Sequence, residues 1–256
     1  MAVAGELSVA PRWHLLPALL LALVARLPTA AAEPLVADLS NHLVAITTGF
    51  TGTSVLLFGA TDGPGDIVAL VRGPTGRTIV RQKGRILGVW VNKESMEFEE
   101  VPNFYAVAAS RPLDQLLTAD MAERYGIGID NLGIRPGEVA DQAKSSVMLG
   151  ALVHIKVAES LYKPKPGKVA FLGGQLFRAE FHFPANVPTG SYLVEVLLVR
   201  DGKVLSAQTT PLVVSKIGVG ADIFEFAHRN AAAYGLGAIL IALLAGWFAH
   251  LVFRKV

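Results

Sequence analysis

Hydrophobic and polar positions divide this chain into an apolar run near the start, a long middle of short alternating runs, and a second apolar run at the end. Arg12 precedes the first run, residues 15–24, and Thr29-Ala30-Ala31-Ala32 then offers small residues before Glu33 and Pro34. A charge, an apolar segment and small residues in that order predict a secretion signal over residues 1–32. The last run, residues 234–253, holds no formally charged side chain and stops at Arg254 and Lys255. About 20 helical residues at roughly 1.5 Å each cross a hydrocarbon core of roughly 30 Å, so this run spans a bilayer and the first, about half as long, does not. Basic residues beside a span stay on the cytoplasmic side, so Arg254 and Lys255 predict a cytoplasmic tail at 254–256 and an exported middle. His228 and Arg229 on the outer flank reduce that asymmetry.

The middle begins as β-branched and aromatic runs at 35–40, 43–48, 53–58, 66–72, 77–83, 86–92, 96–98 and 104–110. Turn residues separate them at 49–52, 62–65, 73–76 and 102–103. Short strands at this spacing predict a mainly β fold, an immunoglobulin-like antiparallel β-sandwich. A helical insertion at about 111–160 interrupts it. Ser110 is a predicted N-cap, Pro112 suits the first turn, Leu113, Leu116, Leu117 and Met121 make one apolar face, and Gly126 ends the helix. A second helix is predicted from 138 to about 160, with Val139, Ala143, Val147, Leu149, Leu152, Ile155 and Val157 apolar.

Strands resume at 169–172 and 175–183, joined by Gly173-Gly174, and at 192–200 and 203–215, joined by Asp201-Gly202. Both joints suit two-residue hairpins. Four strands alone make a small core, so residues 33–216 are read as one composite unit. Residues 217–233 mix Ile217, Val219, Ile223, Phe224 and Phe226 with Asp222, Glu225 and His228. They read as an amphipathic helix at the membrane interface, or as a linker whose apolar residues pack on the sandwich.

Charge and composition narrow the function. The whole chain carries a formal +2, but without Arg12, Arg26, Glu6, Arg254 and Lys255 it retains 19 basic and 20 acidic side chains. That balance gives no footprint for nucleic acid. The absence of cysteine excludes a disulfide framework, thiolate metal sites and a cysteine nucleophile.

Catalytic patterns are equally sparse. No Gly-x-Ser-x-Gly occurs, and a triad of Ser54, His154 and Asp38 exists only on paper. No His-Glu-x-x-His occurs; Glu180 and His182 alternate on one face of a predicted strand, as a polar outer face opposite Phe181 and Phe183 or as two metal ligands. Gly126-Ile127-Gly128 and Gly218-Val219-Gly220 lack the third glycine of a dinucleotide loop. No catalytic, cofactor-binding or metal-binding residues are assigned.

Two charged patches remain. Arg81, Lys83 and Arg85 share a strand face, and Glu94, Glu97, Glu99 and Glu100 follow, which gives a solvated salt-bridged surface or an oriented docking face. His250 lies four residues before Arg254, close to the inner interface, and Gly235, Gly237, Gly246, Ala238, Ala242 and Ala245 offer small surfaces for a neighbouring helix.

The segment Leu35-Val-Ala-Asp-Leu-Ser-Asn-His-Leu-Val-Ala-Ile-Thr-Thr-Gly-Phe-Thr-Gly-Thr-Ser-Val-Leu-Leu-Phe-Gly59, with Asp66-Ile-Val-Ala-Leu-Val-Arg-Gly-Pro74, Val89-Trp-Val-Asn92 and Pro102-Asn-Phe-Tyr-Ala-Val-Ala-Ala-Ser110, resembles a family of single-pass membrane proteins of alphaproteobacteria. The likeness runs through the terminal anchor. It implies a Gram-negative inner membrane with the β-rich part in the periplasm, and it carries no site residues over.

The expected function is therefore that of a non-enzymatic, inner-membrane-anchored periplasmic protein. It would contact the lipid bilayer through residues 234–253 and act as an accessory or assembly partner of another integral membrane protein. A periplasmic ligand-binding or sensing module and a membrane-anchored hydrolase are the alternatives.

Overall fold

The computed structural model describes residues 34–86, 88–137 and 142–254. The expected signal at 1–32, the first residues of the helix expected from 138, and Lys255 lie outside the described residues. The chain from Pro34 onward is one compact unit, mainly β, with an apolar helix at its C-terminal end.

The first strand pattern folds as read, since alternation places one face of each strand inward. Strands β1 (Leu35–Leu39), β3 (Gly52–Thr61), β11 (Leu176–Pro184) and β10 (Ala170–Leu172) form a four-stranded sheet in the order β1-β3-β11-β10. Strands β2 (Leu43–Ile46), β13 (Lys203–Lys216), β12 (Gly190–Arg200), β4 (Asp66–Arg72), β7 (Tyr105–Ala109) and β9 (Gly167–Lys168) form a six-stranded sheet in that order. Its strands are not all antiparallel as expected: β2 runs parallel to β13, and β9 parallel to β7. The chain leaves β1 and enters the other sheet through residues 40–42, so β1 and β2 are edge strands of two different sheets, both beside β13.

Both sheets share one core. Phe177, Ala179, Phe181 and Phe183 of β11 face Tyr192, Val194, Val196 and Leu198 of β12 within a single apolar cluster. Phe104 stacks on Phe183 at 5.0 Å between ring centroids and tilts against Tyr192 at 5.9 Å. At the edge, Gln208 of β13 reaches the backbone of β1: its Oε1 accepts from Ala37 N at 2.7 Å and its Nε2 donates to Ala37 O at 2.9 Å. The side-chain amide takes the place of a neighbouring strand and satisfies an edge that would otherwise stay unpaired.

The strand β4 is buried along both faces from Ile67 to Val71 because helices cover the outside of the six-stranded sheet. The helix expected from Ser110 is broken. α1 (Leu113–Leu116) ends at an extended Leu117, and Thr118 then caps α2 (Ala119–Arg124) by accepting from Met121 N at 3.4 Å. Ser110 caps neither; its Oγ donates to Asp66 at 2.8 Å and accepts from Ile67 N, tying the end of β7 to the start of β4. Arg111 also pairs with Asp66 and holds that carboxyl below its ordinary range. On the same outer face Tyr105 Oη donates to Gly126 O at 3.0 Å and accepts from Gly128 N at 2.7 Å, and burial pushes its phenol up to about 12.

The strand expectation is corrected in one part. The runs at 77–83, 86–92 and 96–98 join neither of these sheets; they form β5 (Thr75–Ile86) and β6 (Val89–Pro102), a long hairpin that β8 (Arg135–Pro136) extends into a separate sheet. Along β5 only Val80 is buried, so the segment lacks the apolar face a core strand needs. The residues 73–76 read as a turn do not reverse the chain. Gly73 N bonds Phe104 O and Asn103 N bonds Pro74 O, each at 2.9 Å, so the β4–β7 ladder runs on into β5–β6. Helix α3 (Gln142–Ala158) packs Met148 and Leu152 against Val80, Phe98 and Val101 at the root of this ribbon.

After β13 come α4 (Val219–Arg229), Asn230 and α5 (Ala231–Phe253), which starts three residues before the expected span. None of the most apolar window of α5 is buried within the protein. Twenty-three residues at about 1.5 Å each give roughly 35 Å, enough to cross a hydrocarbon core. On α4, Ile223, Phe224 and Phe226 are exposed and not packed on the sheets.

Candidate functional site

The four-stranded sheet has an outer face that none of the described residues covers, and its register sorts that face by polarity. Val36 of β1, Ala60 of β3, Leu176 of β11 and Leu172 of β10 stand directly opposite one another in a row across the whole sheet. The next row holds Asp38, Phe58 and Arg178, the third Leu56 and Glu180, and the last Ser54 and His182. Val36 and Leu176 are each 56% exposed, Leu172 46% and Phe58 45%. Together they line an open groove of about 500 Å³ that Asp38 and Arg178 border.

Adjacent exposed apolar residues of this kind are uncommon on a protein that works alone. The sequence carried a trace of it. Residues 55–58 are Val-Leu-Leu-Phe, apolar on both faces, a pattern expected of a strand covered on both sides. Val55 and Leu57 point into the core, and Leu56 and Phe58 are the ones left outside. Neither strand pairing nor register is visible in one sequence, so the row from Val36 to Leu172 was not foreseen.

The catalytic candidates are dispersed. Ser54 Oγ faces His182 Nδ1 at 3.4 Å as a cross-strand pair, Asp38 pairs with His42 Nε2 at 2.9 Å, and His154 stands exposed on α3. The triad of Ser54, His154 and Asp38 is thus not assembled. Glu180 and His182 occupy the outer face of β11 while Phe181 and Phe183 point inward, and among the described residues no three histidine or carboxylate groups gather at metal distance.

The charged patches resolve into two halves. Near the root of the ribbon Arg77 reaches Glu97 at 3.6 Å and Glu99 at 3.4 Å, Arg135 reaches Glu100 at 3.9 Å, and Lys144 reaches Glu94 at 3.4 Å. All of these are exposed pairs of small energetic weight. Arg81, Lys83 and Arg85, beyond them, make no ion pair among the described residues.

At the end of the body from which β13 leaves, residues of β2, β13 and α4, including Ile46, Thr47, Ser215, Ile217 and Phe224, surround a second open groove of about 820 Å³. It is continuous with the segment that leads to α5. Within α5, His250 lies near the C-terminal end, where its carbonyl accepts from Arg254 N at 2.9 Å.

No curated protein matches this sequence. Residues 34–255, from the first described strand to the end of the apolar helix, match the family described as "Putative transmembrane protein (Alph_Pro_TM)". One C-terminal apolar helix with no protein cover fits a single-pass arrangement, and the chain belongs to that transmembrane protein family.

Proposed function

We propose that this chain is an inner-membrane-anchored periplasmic protein that acts without catalysis, as an accessory or assembly partner of another integral membrane protein. The observation that carries the reading is the exposed apolar row Val36, Ala60, Leu176 and Leu172, with Phe58 beside it. α5 confines the body to one membrane plane, and only residues 217–230 separate that helix from β13. Confinement raises the effective concentration of any partner in the same membrane.

The row lies at the end of the sheet away from the β13 exit, because Val36 and Leu176 flank the end of β3 whereas Pro184 lies at its beginning. A nine-residue strand at roughly 3.3 Å per residue spans about 30 Å, so the partner contributes an extramembrane segment at that height. We read the body as immunoglobulin-like. The orders β1-β3-β11-β10 and β2-β13-β12-β4-β7, with the first strand switching sheets, support this. So does Tyr192 near the start of β12, whose hydroxyl donates back to Pro188 O at 2.5 Å, as in a tyrosine corner. Arg254 on the far side of α5 supports the periplasmic orientation.

A photo-activatable phenylalanine analogue at Leu176 in native membranes tests the reading. One discrete adduct with an integral membrane protein is expected, none is expected from the same probe at exposed Leu205 on the other sheet, and Phe58→Glu should abolish the Leu176 adduct. An adduct of twice the chain's own mass would show a second copy closing the groove, and either that or no adduct overturns the proposal.

A further inference from the structure

The ribbon β5–β6 ends in surface of a different character from its root. Residues 79–93 contain Arg81, Lys83, Arg85 and Lys93 and no acidic residue. Among the described residues none of these four cations has an ion pair; Arg85 Nε instead donates to Gly88 O at 3.1 Å. Beyond them the tip is apolar: Ile86 is 49% exposed, Val89 63% and Trp90 67%. Ile86 pairs with Val89, and Gly88 supplies the positive φ of +87° that so tight a reversal needs.

The topology places this tip on the membrane side. Arg72, the last residue of β4, lies opposite Leu193 near the start of β12, and Gly190 at the start of β12 lies opposite Val214 near the end of β13. The ends of β4 and β13 therefore coincide, and Pro74 packs so closely on Gly190 that a Cβ there would come within 2.7 Å of its ring. From that one end β13 continues to α5, and the β4–β7 ladder continues into the ribbon.

Reach is sufficient. Twelve residues of β5 at roughly 3.3 Å each extend about 40 Å, against about 16 Å for the eleven residues of α4. With Ile86, Val89 and Trp90 at the hydrocarbon boundary, Arg85, Lys83 and Lys93 fall within about 10–13 Å behind them, among or just above the headgroups. Tryptophan favours that boundary, and unpaired cations favour anionic headgroups.

We propose that the β5–β6 tip is a second membrane contact, in which Ile86, Val89 and Trp90 enter the leaflet nearest the body and Arg81, Lys83, Arg85 and Lys93 hold anionic phospholipid headgroups. The contact fixes the body's tilt over the bilayer, which one helix and its linker leave free. It is independent of what the outer groove of the four-stranded sheet binds.

The chain has no cysteine, so a single Val89→Cys carries an environment-sensitive fluorophore on the full-length protein reconstituted into vesicles. Leu205→Cys, beside the β12–β13 turn at the other end of the body, serves as the comparison. With vesicles of mixed phosphatidylglycerol and phosphatidylethanolamine, the label at 89 is expected to shift to the blue and to be quenched by a lipid-borne quencher, whereas the label at 205 is not. Changing Arg81, Lys83, Arg85 and Lys93 to glutamine should remove the quenching, each cation being worth roughly fivefold in occupancy. Water-like emission at 89 overturns the proposal, and quenching that survives the glutamine substitutions overturns the role given to headgroups. Protection at 89 in native membranes but not in protein-free vesicles would assign the tip to a protein partner and overturn it equally.

Discussion

Phe104→Ala lowers the stability of the β body by about 3–5 kcal/mol. Phe104 is fully buried and its ring lies between Phe183 of the four-stranded sheet and Tyr192 of the six-stranded one, so truncation opens a cavity where the two sheets meet. Neither neighbour can collapse into it easily. Tyr192 is held through its hydroxyl to Pro188, and Phe183 sits in a strand paired from Leu176 to Pro184. Phe104 also stands at the hinge, where its carbonyl accepts from Gly73; alanine keeps that backbone bond, so the loss falls on the core packing. A domain of ordinary stability has only about 5–15 kcal/mol in total. Denaturant unfolding of the full chain in detergent, followed by a fluorophore in the body, should show a clearly lower midpoint. Phe58→Ala, an aromatic deletion on the exposed outer face, should move it by no more than about 0.5 kcal/mol. Equal effects at the two positions would contradict the assignment of inner and outer faces.

Placing Ile241→Arg together with Leu244→Arg at the middle of α5 should release the protein from the membrane fraction. Both side chains are more than half exposed on a helix that no other described part of the protein covers, so in a bilayer they face hydrocarbon. Each arginine at the centre of a span costs about 2.5–3.5 kcal/mol on insertion, and the pair about 5–7 kcal/mol, which is large against the margin of a single span. Alkaline extraction followed by sedimentation reads the outcome. Valine at the same two positions preserves the apolar surface and should leave the protein in the pellet. If the arginine variant also stays in the pellet, α5 is not what holds the chain there.

Local chemistry made much of the fold legible. The β12–β13 hairpin rests on Asp201 and Gly202, which adopt φ of +52° and +73°, as the two-residue joint requires. The alternation at 175–183 likewise set Phe181 and Phe183 opposite Glu180 and His182, and both are buried in the core. The ribbon was hidden for a physical reason. Its reversal has no polar turn cluster, only Gly88 among apolar residues, while Gly73 and Pro74 carry a turn signature at a place where the ladder merely bends. Ser110 looked like a helix cap because serine commonly is one, and here its hydroxyl found Asp66 and Ile67 across the sheet. The outer apolar row is a property of register: Val36, Ala60, Leu176 and Leu172 come from four strands, and no single segment displays it. Likewise the cations at 81–93 are legible as a run, but only pairing shows that the nearby glutamates serve Arg77, Arg135 and Lys144.

In the proposed arrangement the β body and the tail lie on opposite sides of the inner membrane. Single cysteines introduced at Leu205 and at Val256 in an otherwise cysteine-free chain, exposed to a membrane-impermeant maleimide in intact spheroplasts, test this directly. Labelling of 205 at once, and of 256 only after permeabilisation, is the predicted result. Immediate labelling of 256 with protection of 205 would place the body in the cytoplasm and contradict the account.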